Sequence, residues 1–294
     1  MQIYKKEGRL MQENKKIKLL SPKLDVVFQA LFGEVGNERI TKDFLESILK
    51  KKIEKIDLSK NLILRKEFKD DKLGILDILA ELDGKENCNI ELQIVDRKNI
   101  IERILYYWSK LYSRQIRSGE DYELLEKTIV ILITNFKIKE LETLEYHSSW
   151  KIIEENDRKV ILTNKLEIHI MELPKIEGKE NEKDELLDWL YFLENPKSER
   201  VEEKMKENEN LKEARKKLDG LSEDERMQKI AELRQKAIMD EKAIYKKGIE
   251  EGIEKGVEKN NIEIAKKMLE ENIDIDFISR MTGLTKEKIK ELKK

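Results

Sequence analysis

The stretch "GILDILAELDGKENCNIELQIVDRK", residues 74–98, constrains the fold more than any other part of the chain. Two runs rich in Ile and Leu flank Asp83-Gly84, a dipeptide that favours the tight turn of a β-hairpin. Alternate residues of such strands point to opposite faces. With the turn centred near Lys85, odd-numbered residues of both strands share a face, so Asp77, Glu91 and Gln93 gather there. Leu76, Ile78, Ala80, Ile90, Leu92 and Ile94 take the other face. A slip of one residue would undo the clustering, but the parity that gathers the polar residues also gathers the aliphatic ones.

Two carboxylates on adjacent strands repel each other and lose hydration. Either the row faces solvent on a half-exposed sheet, or a divalent cation joins the two groups. Mg²⁺ takes oxygen ligands from one or two carboxylates plus water and substrate phosphate. Such an ion polarises a phosphoryl oxygen and lowers the pKa of a bound water. The second reading therefore points to metal-assisted phosphodiester hydrolysis at Asp77 and Glu91.

The surroundings of the hairpin suit a mixed sheet flanked by helices. "SPKLDVVFQALFG" reads as a helix with Ser21 as N-cap and Pro22 at the first helical position, ended by Gly33. "NERITKDFLESILKKK" is a second helix, with Ile40, Phe44, Leu45 and Ile48 on one side. Short apolar segments follow near 53–58 and 62–68. "NIIERILYYWSKLYSRQIRSG" is a strongly amphipathic helix stopped by Gly119, and "KTIVILITNF" is a strand buried on both faces. Weaker strands cover Trp150 to Ile153 and Leu166 to Met171, and "DELLDWLYFLEN" is a short helix. On the amphipathic helix Arg103 and Arg114 are candidate phosphate contacts, although such a helix carries a charged face in any case.

Charged residues make up 41% of the 294, so part of the chain must be solvated helix rather than core. That part begins near 197. Residues 198–218 are helical and "DGLSEDE" breaks them, with Ser222 and Glu225 forming a capping-box pattern. An apolar stripe from Met227 to Val257 then marks one edge of a long helix that needs a partner helix. Gly248, Gly252 and Gly256 line the same helix at intervals of four, each costing about 1 kcal/mol relative to Ala. A homodimer formed through residues 223–258 would compensate; a weak joint is the alternative. The last 33 residues read as three short helices with Ile273, Phe277, Ile278, Met281, Leu284, Ile289 and Leu292 as a small core and Gly283 at a tight turn. This is the outline of a helix-turn-helix. Its final segment "KEKIKELKK" is basic but lacks Arg, Asn or Gln, which leaves a non-specific DNA contact or a protein-binding cap.

Lys plus Arg (60) nearly balance Asp plus Glu (62), so bulk charge does not call for nucleic acid. No run of 18 apolar residues and no apolar leader is present, from which a cytoplasmic, membrane-free protein is expected. The single cysteine, Cys88, excludes an internal disulfide and a multi-cysteine zinc site. The two histidines, His147 and His169, are far apart in sequence and read as ordinary surface or strand residues.

Asp, a hairpin, then Glu-x-Gln resembles the PD-(D/E)XK nuclease pattern. "SPKLDVVFQALFG", "ILDILAELDG", "IELQ" and "ERILYYWSKLYSRQIRSGEDYELLEKTIVILITNF" resemble one branch of it, the Rpn family of recombination-promoting nucleases and transposases. The tail "YKKGIEEGIEKGVEKN" is similar to that branch as well. The resemblance implies a restriction-endonuclease-like core followed by an all-helical C-terminal region. It divides the chain into a flexible lead (1–20), a nuclease-like domain (21–180), a helical linker and oligomerisation region (181–258) and a helix-turn-helix-like tail (259–294). It implies a DNA endonuclease using Mg²⁺, with Mn²⁺ or Ca²⁺ as substitutes, in recombination, mobile DNA or defence against foreign DNA. Asp77 and Glu91 become the metal carboxylates, and Asp25 a further ligand unless it only favours its helix N-terminus. Gln93 stands where the superfamily usually carries Lys, a departure that keeps open a catalytically weak or idle member acting as a DNA- or protein-binding protein. Lys66 or Lys98 could restore the missing charge. Gln115 and Tyr122 are similar to a Gln…Tyr element that follows the hairpin in several branches. Relatives also produce their C-terminal part as a separate short protein, for which Met205, Met227 and Met239 are candidate starts.

Overall fold

The protein is described by a computed structural model over residues 18–58, 78–96 and 98–292. It divides into two compact units, one up to Gln235 and one from Lys236, a boundary inside the segment read as a linker.

The first unit is built on a six-stranded mixed sheet in the order β1-β2-β3-β4-β6-β5. The strands are β1 (Ile56–Asp57), β2 (Ile78–Leu82), β3 (Glu86–Gln93), β4 (Lys127–Thr134), β5 (His147–Ile153) and β6 (Ile161–Glu172). β2 and β3 are the expected hairpin. Asp83 (φ 53°) and Gly84 (φ 68°) both take left-handed conformations, and the Lys85 N–H closes the turn onto the Leu82 carbonyl. Two successive positive φ angles match the twist of an antiparallel pair. The turn is thus centred on Asp83-Gly84, not on Lys85. Ile78 therefore pairs with Ile90 and Ala80 with Cys88. The parity is unchanged: Ile78, Ala80, Ile90 and Leu92 are all buried on one face.

β3, β4 and β6 run parallel. Their central position explains the unbroken apolar run of β4, in which Ile129 through Ile133 are fully buried whichever way they point. Helix α3 (Ile100–Ser113) lies on one face. Ile100 and Ile104 pack there with Val130, Leu132, Leu166, Ile168 and Ile170. The helix ends at Ser113, six residues before Gly119, with Arg114 as its C-cap. Helix α1 is Asp25–Phe32 and α2 is Glu38–Leu49. α1 starts three residues later than Ser21-Pro22 suggests. The Leu24 N–H bonds back to the Ser21 carbonyl, so the chain makes one turn before the helix and Leu24 becomes the N-cap.

Helices α4 (Glu185–Glu194), α5 (Glu199–Lys204) and α6 (Glu209–Glu223) are part of this unit. Trp189 of α4 packs its ring against Phe32 and Phe44, and α6 packs on α1 and α2. That burial makes 185–223 core rather than linker. α6 also runs straight through Asp219-Gly220, so the expected break is displaced to Asp224. Ser222 is no cap: its hydroxyl donates to the Leu218 carbonyl inside α6 and accepts from the Leu20 N–H. Asp224 does that work, its carboxylate accepting from the Met227 N–H at the start of α7 (Glu225–Glu270).

In the second unit Asp274 caps α8 (Ile275–Thr282), and Gly283 (φ 70°) ends it in the left-handed conformation before α9 (Lys286–Leu292). Ala265, Ile278, Leu284 and Ile289 form its core, with Leu292 packed at the side. Ile273, Phe277 and Met281 are not in it. They lie 38%, 42% and 65% exposed, because the face of α8 that carries Ile278 and Thr282 is the one turned inward. Along α7 the side chains of Ile244, Ile249, Ile253 and Val257 are exposed.

Candidate functional site

The polar row of β3 lies on the α3 face. Asn89 pairs with Val130 and Glu91 with Leu132, and both of those β4 residues pack with Ile100 and Ile104 of α3. The row is therefore not solvent-facing: Asn89 is 0% and Glu91 3% exposed. A buried carboxylate needs donors, and neighbours on its own strand give two. Asn89 Nδ2 donates to Glu91 Oε1 at 3.1 Å, and Gln93 Nε2 faces Glu91 Oε2 at 3.5 Å. The second is a marginal hydrogen bond.

The row continues onto the helix. Arg103 Nη1 donates to Gln93 Oε1 at 3.4 Å, and Arg103 Nε meets the Tyr107 hydroxyl at 2.5 Å. The guanidinium carbon lies 5.2 Å from the Tyr107 ring centre. The structure thus joins Glu91, Gln93 and Arg103 in one line. It adds Asn89 and Tyr107, neither of which the sequence alone singles out as a candidate. Asn89 is findable in principle, since it continues the odd-numbered row, but its role depends on burial that the sequence does not display.

Of the other candidates, those described lie elsewhere. Asp77 and Lys66 fall outside the described residues. Asp25 is the first residue of α1; its Oδ2 pairs with Arg234 at 2.9 Å, while its Oδ1 is buried without a hydrogen-bond partner. The Gln115 amide spans the start of β4, donating to Thr128 Oγ1 (2.8 Å) and accepting from the Glu126 N–H (2.6 Å). Tyr122 is 80% exposed. Arg114 is the C-cap of α3, and Lys98 is exposed before it.

Among the described residues no three His, Cys, Asp or Glu side chains gather as a metal shell. Mg²⁺ needs only one or two protein carboxylates, so Glu91 together with an acidic residue outside the described segments fits in kind. The unpartnered Asp25 Oδ1 is likewise an oxygen that a cation or its water would satisfy.

The sheet also holds a second polar line, which joins the two histidines. His147 Nε2 lies 2.9 Å from His169 Nδ1, and His169 Nε2 lies 2.8 Å from Glu167 Oε1. Lys127 pairs with Glu167 at 2.6 Å. Burial, then the neighbouring His169, lowers the His147 pKa to about 4. Glu167 is held down to about 2: burial opposes this, but the hydrogen bonds from His169 and Lys127 prevail. His169 and Glu167 are odd-numbered on β6, opposite to Leu166, Ile168 and Ile170 of the α3 face. This line is therefore separate from the Glu91 row.

Comparison with known families matches residues 22–248 to the PD-(D/E)XK nuclease family transposase model. Residues 258–294 match the Rpn/YhgA-like nuclease family, C-terminal HTH domain. The chain belongs to the PD-(D/E)XK nuclease family of transposases, in its Rpn-like branch. No curated protein and no solved structure gives a significant match. No described helix is long and apolar enough to cross a membrane.

Proposed function

We propose that this chain is a metal-dependent DNA endonuclease that hydrolyses phosphodiester bonds in the service of recombination, mobile DNA or defence. Family membership supports a nuclease or transposase-related role on DNA. The observation that carries the finer reading is Glu91: a carboxylate 3% exposed, aligned by amides and leading through Gln93 to a guanidinium. The two amides on its own strand are neutral, so they orient the carboxylate without cancelling its charge.

In this reading Glu91 and Asp77 hold the ion, with Asp25 as a further ligand. The sequence alternation supports the pairing, since Asp77 and Glu91 are both odd-numbered in runs whose even-numbered residues are aliphatic. Mg²⁺, or Mn²⁺ in its place, supplies Lewis acidity and an activated water when bound. Asn89 fixes Glu91 Oε1, and Gln93 orients Oε2. Arg103 and Arg114 serve DNA phosphates, while Gln115 positions the start of β4. The helix-turn-helix unit adds a DNA contact through α9. Ion pairs of Lys286 with Asp276 and of Lys288 with Glu258 hold part of its charge, leaving less of it for DNA phosphates. A second copy pairs along α7, where exposed Ile249, Ile253 and Val257 ask for a cover.

The test is plasmid cleavage in Mg²⁺ by the native chain, Glu91→Gln and Asp77→Asn. Cleavage lost in both variants is the expected result. Equal cutting by all three would remove the reading. No cutting by the native chain would favour the second reading, a binding member of the fold, for which the neutral Gln93 is the supporting observation.

A further inference from the structure

Hydrolysis of a phosphodiester builds negative charge on the phosphoryl oxygens, beside a site that already contains Glu91. Such a site gains most from a fixed cation aimed at that charge. The β3 residue two positions beyond Glu91 is Gln93, which is neutral. The cation must come from another element.

Among the described residues, Arg103 is a basic side chain tied to this row. Gln93 shows how it is placed. Its Nε2 faces the Glu91 carboxylate and its Oε1 faces the guanidinium. A flipped amide would set oxygen against carboxylate and NH₂ against guanidinium, so the two charges fix the orientation between them. Tyr107, 4% exposed, holds the Nε edge through its hydroxyl. Among the described residues no carboxylate is seen to pair with Arg103, so none of them cancels its charge. A guanidinium remains protonated at any working pH and offers a planar fork matched to phosphate oxygens.

We infer that Arg103, held by Gln93 and Tyr107, is the phosphate-binding cation of this site, delivered from α3 instead of from β3. The inference rests on the nuclease reading and deepens it. Gln93 is then a positioning residue, and Arg103 the group that touches substrate.

Two measurements test it on the full chain. In the Glu91→Gln background without metal, duplex DNA is bound but not cut, and the slope of log affinity against log salt counts phosphate contacts. Adding Arg103→Gln should reduce that slope by about 0.9, while near-ultraviolet circular dichroism stays unchanged. In Mg²⁺, Arg103→Gln alone should lower kcat by roughly 10²–10³, and Gln93→Lys added to it should recover at least tenfold of that, by returning a cation to the strand. Arg103→Lys, which keeps charge without the fork, should hold the salt slope; it serves as well if Arg103→Gln folds poorly. An unchanged slope in Arg103→Gln, or no gain from Gln93→Lys, overturns the inference. Native and Glu91→Gln chains that cut equally would instead defeat the nuclease reading, with the salt slope still judging Arg103.

Discussion

Asn89 Nδ2 holds Glu91 Oε1 at 3.1 Å, with both residues buried on one strand and the other Asn89 atom, Oδ1, left without a partner. A carboxylate oxygen only accepts, so it must be the amide nitrogen that faces Glu91, and Oδ1 is turned away by necessity. Replacing Asn89 with Leu removes a charge-assisted hydrogen bond worth about 1.5–3 kcal/mol and also removes a buried unsatisfied acceptor that costs about 1–3 kcal/mol. The first outweighs the second, because the buried Glu91 carboxylate is left short of a donor. Urea melts of Asn89→Leu should therefore show a loss of about 1–3 kcal/mol, while cleavage falls tenfold or more because Glu91 loses its alignment. A large stability loss with cleavage intact would contradict this role.

The hairpin is legible in the sequence because its signals are local. Asp83-Gly84 dictates two positive φ angles, and the period of two sorts Ile78, Ala80, Ile90 and Leu92 from Asn89, Glu91 and Gln93. The length of β4 is legible from its apolar run for the same reason. What sequence does not supply is depth. Glu91 looks alike on a solvated sheet and under α3, and only the register with Leu132 decides. The meeting of His147 and His169 depends on the pairing of β5 with β6, which no short pattern encodes. The departure at Ser222 has a similar origin: a capping-box pattern is a local preference, and tertiary packing of α6 overrides it in favour of Asp224.

His147 makes stability depend on pH. Its pKa in the folded chain is lowered from the usual 6.5 to about 4, by burial first and then by His169, with Lys50 adding to the effect and Asp184 opposing it. As pH falls below 6.5 the unfolded chain takes up a proton that the folded chain refuses, so stability drops until about pH 4, where both forms are protonated. Glu167 acts in the same direction only lower down, because its carboxylate is held ionised to about 2. Tm should decline between pH 6.5 and pH 4, and His147→Gln should flatten that decline while leaving the loss below it. Identical Tm profiles for the two chains would rule His147 out.

Arg200 anchors the segment that leads into α4. Its guanidinium pairs with Asp188 at 2.6 Å and donates to the carbonyls of Glu180 (2.6 Å), Glu182 (2.8 Å) and Asp184 (3.0 Å). Both charged side chains are nearly buried, and burial raises the Asp188 pKa against the pull of Arg200. Arg200→Ala leaves a buried carboxylate and several carbonyls without donors, and should cost about 3–5 kcal/mol in urea unfolding. Asp188→Asn keeps the carbonyl contacts and should cost clearly less. The reverse ranking would mean that the ion pair, and not the carbonyl clamp, carries the segment.

The glycines of α7 separate an isolated helix from a paired one. A Cβ built at Gly248, Gly252 or Gly256 meets nothing within 4 Å in the single chain. In a chain alone each Ala substitution should therefore stabilise the helix by about 1 kcal/mol, through propensity with no steric penalty. In a dimer whose second α7 approaches along that edge, the three added methyls would hold the backbones apart and uncover Ile249, Ile253 and Val257. The triple variant Gly248→Ala, Gly252→Ala, Gly256→Ala should accordingly gain helical circular dichroism signal and weaken self-association at least tenfold in sedimentation equilibrium. A native chain that sediments as a monomer, or a triple variant that dimerises as tightly as the native, would leave the glycines as a loosened stretch of helix and the apolar stripe without a second copy to cover it.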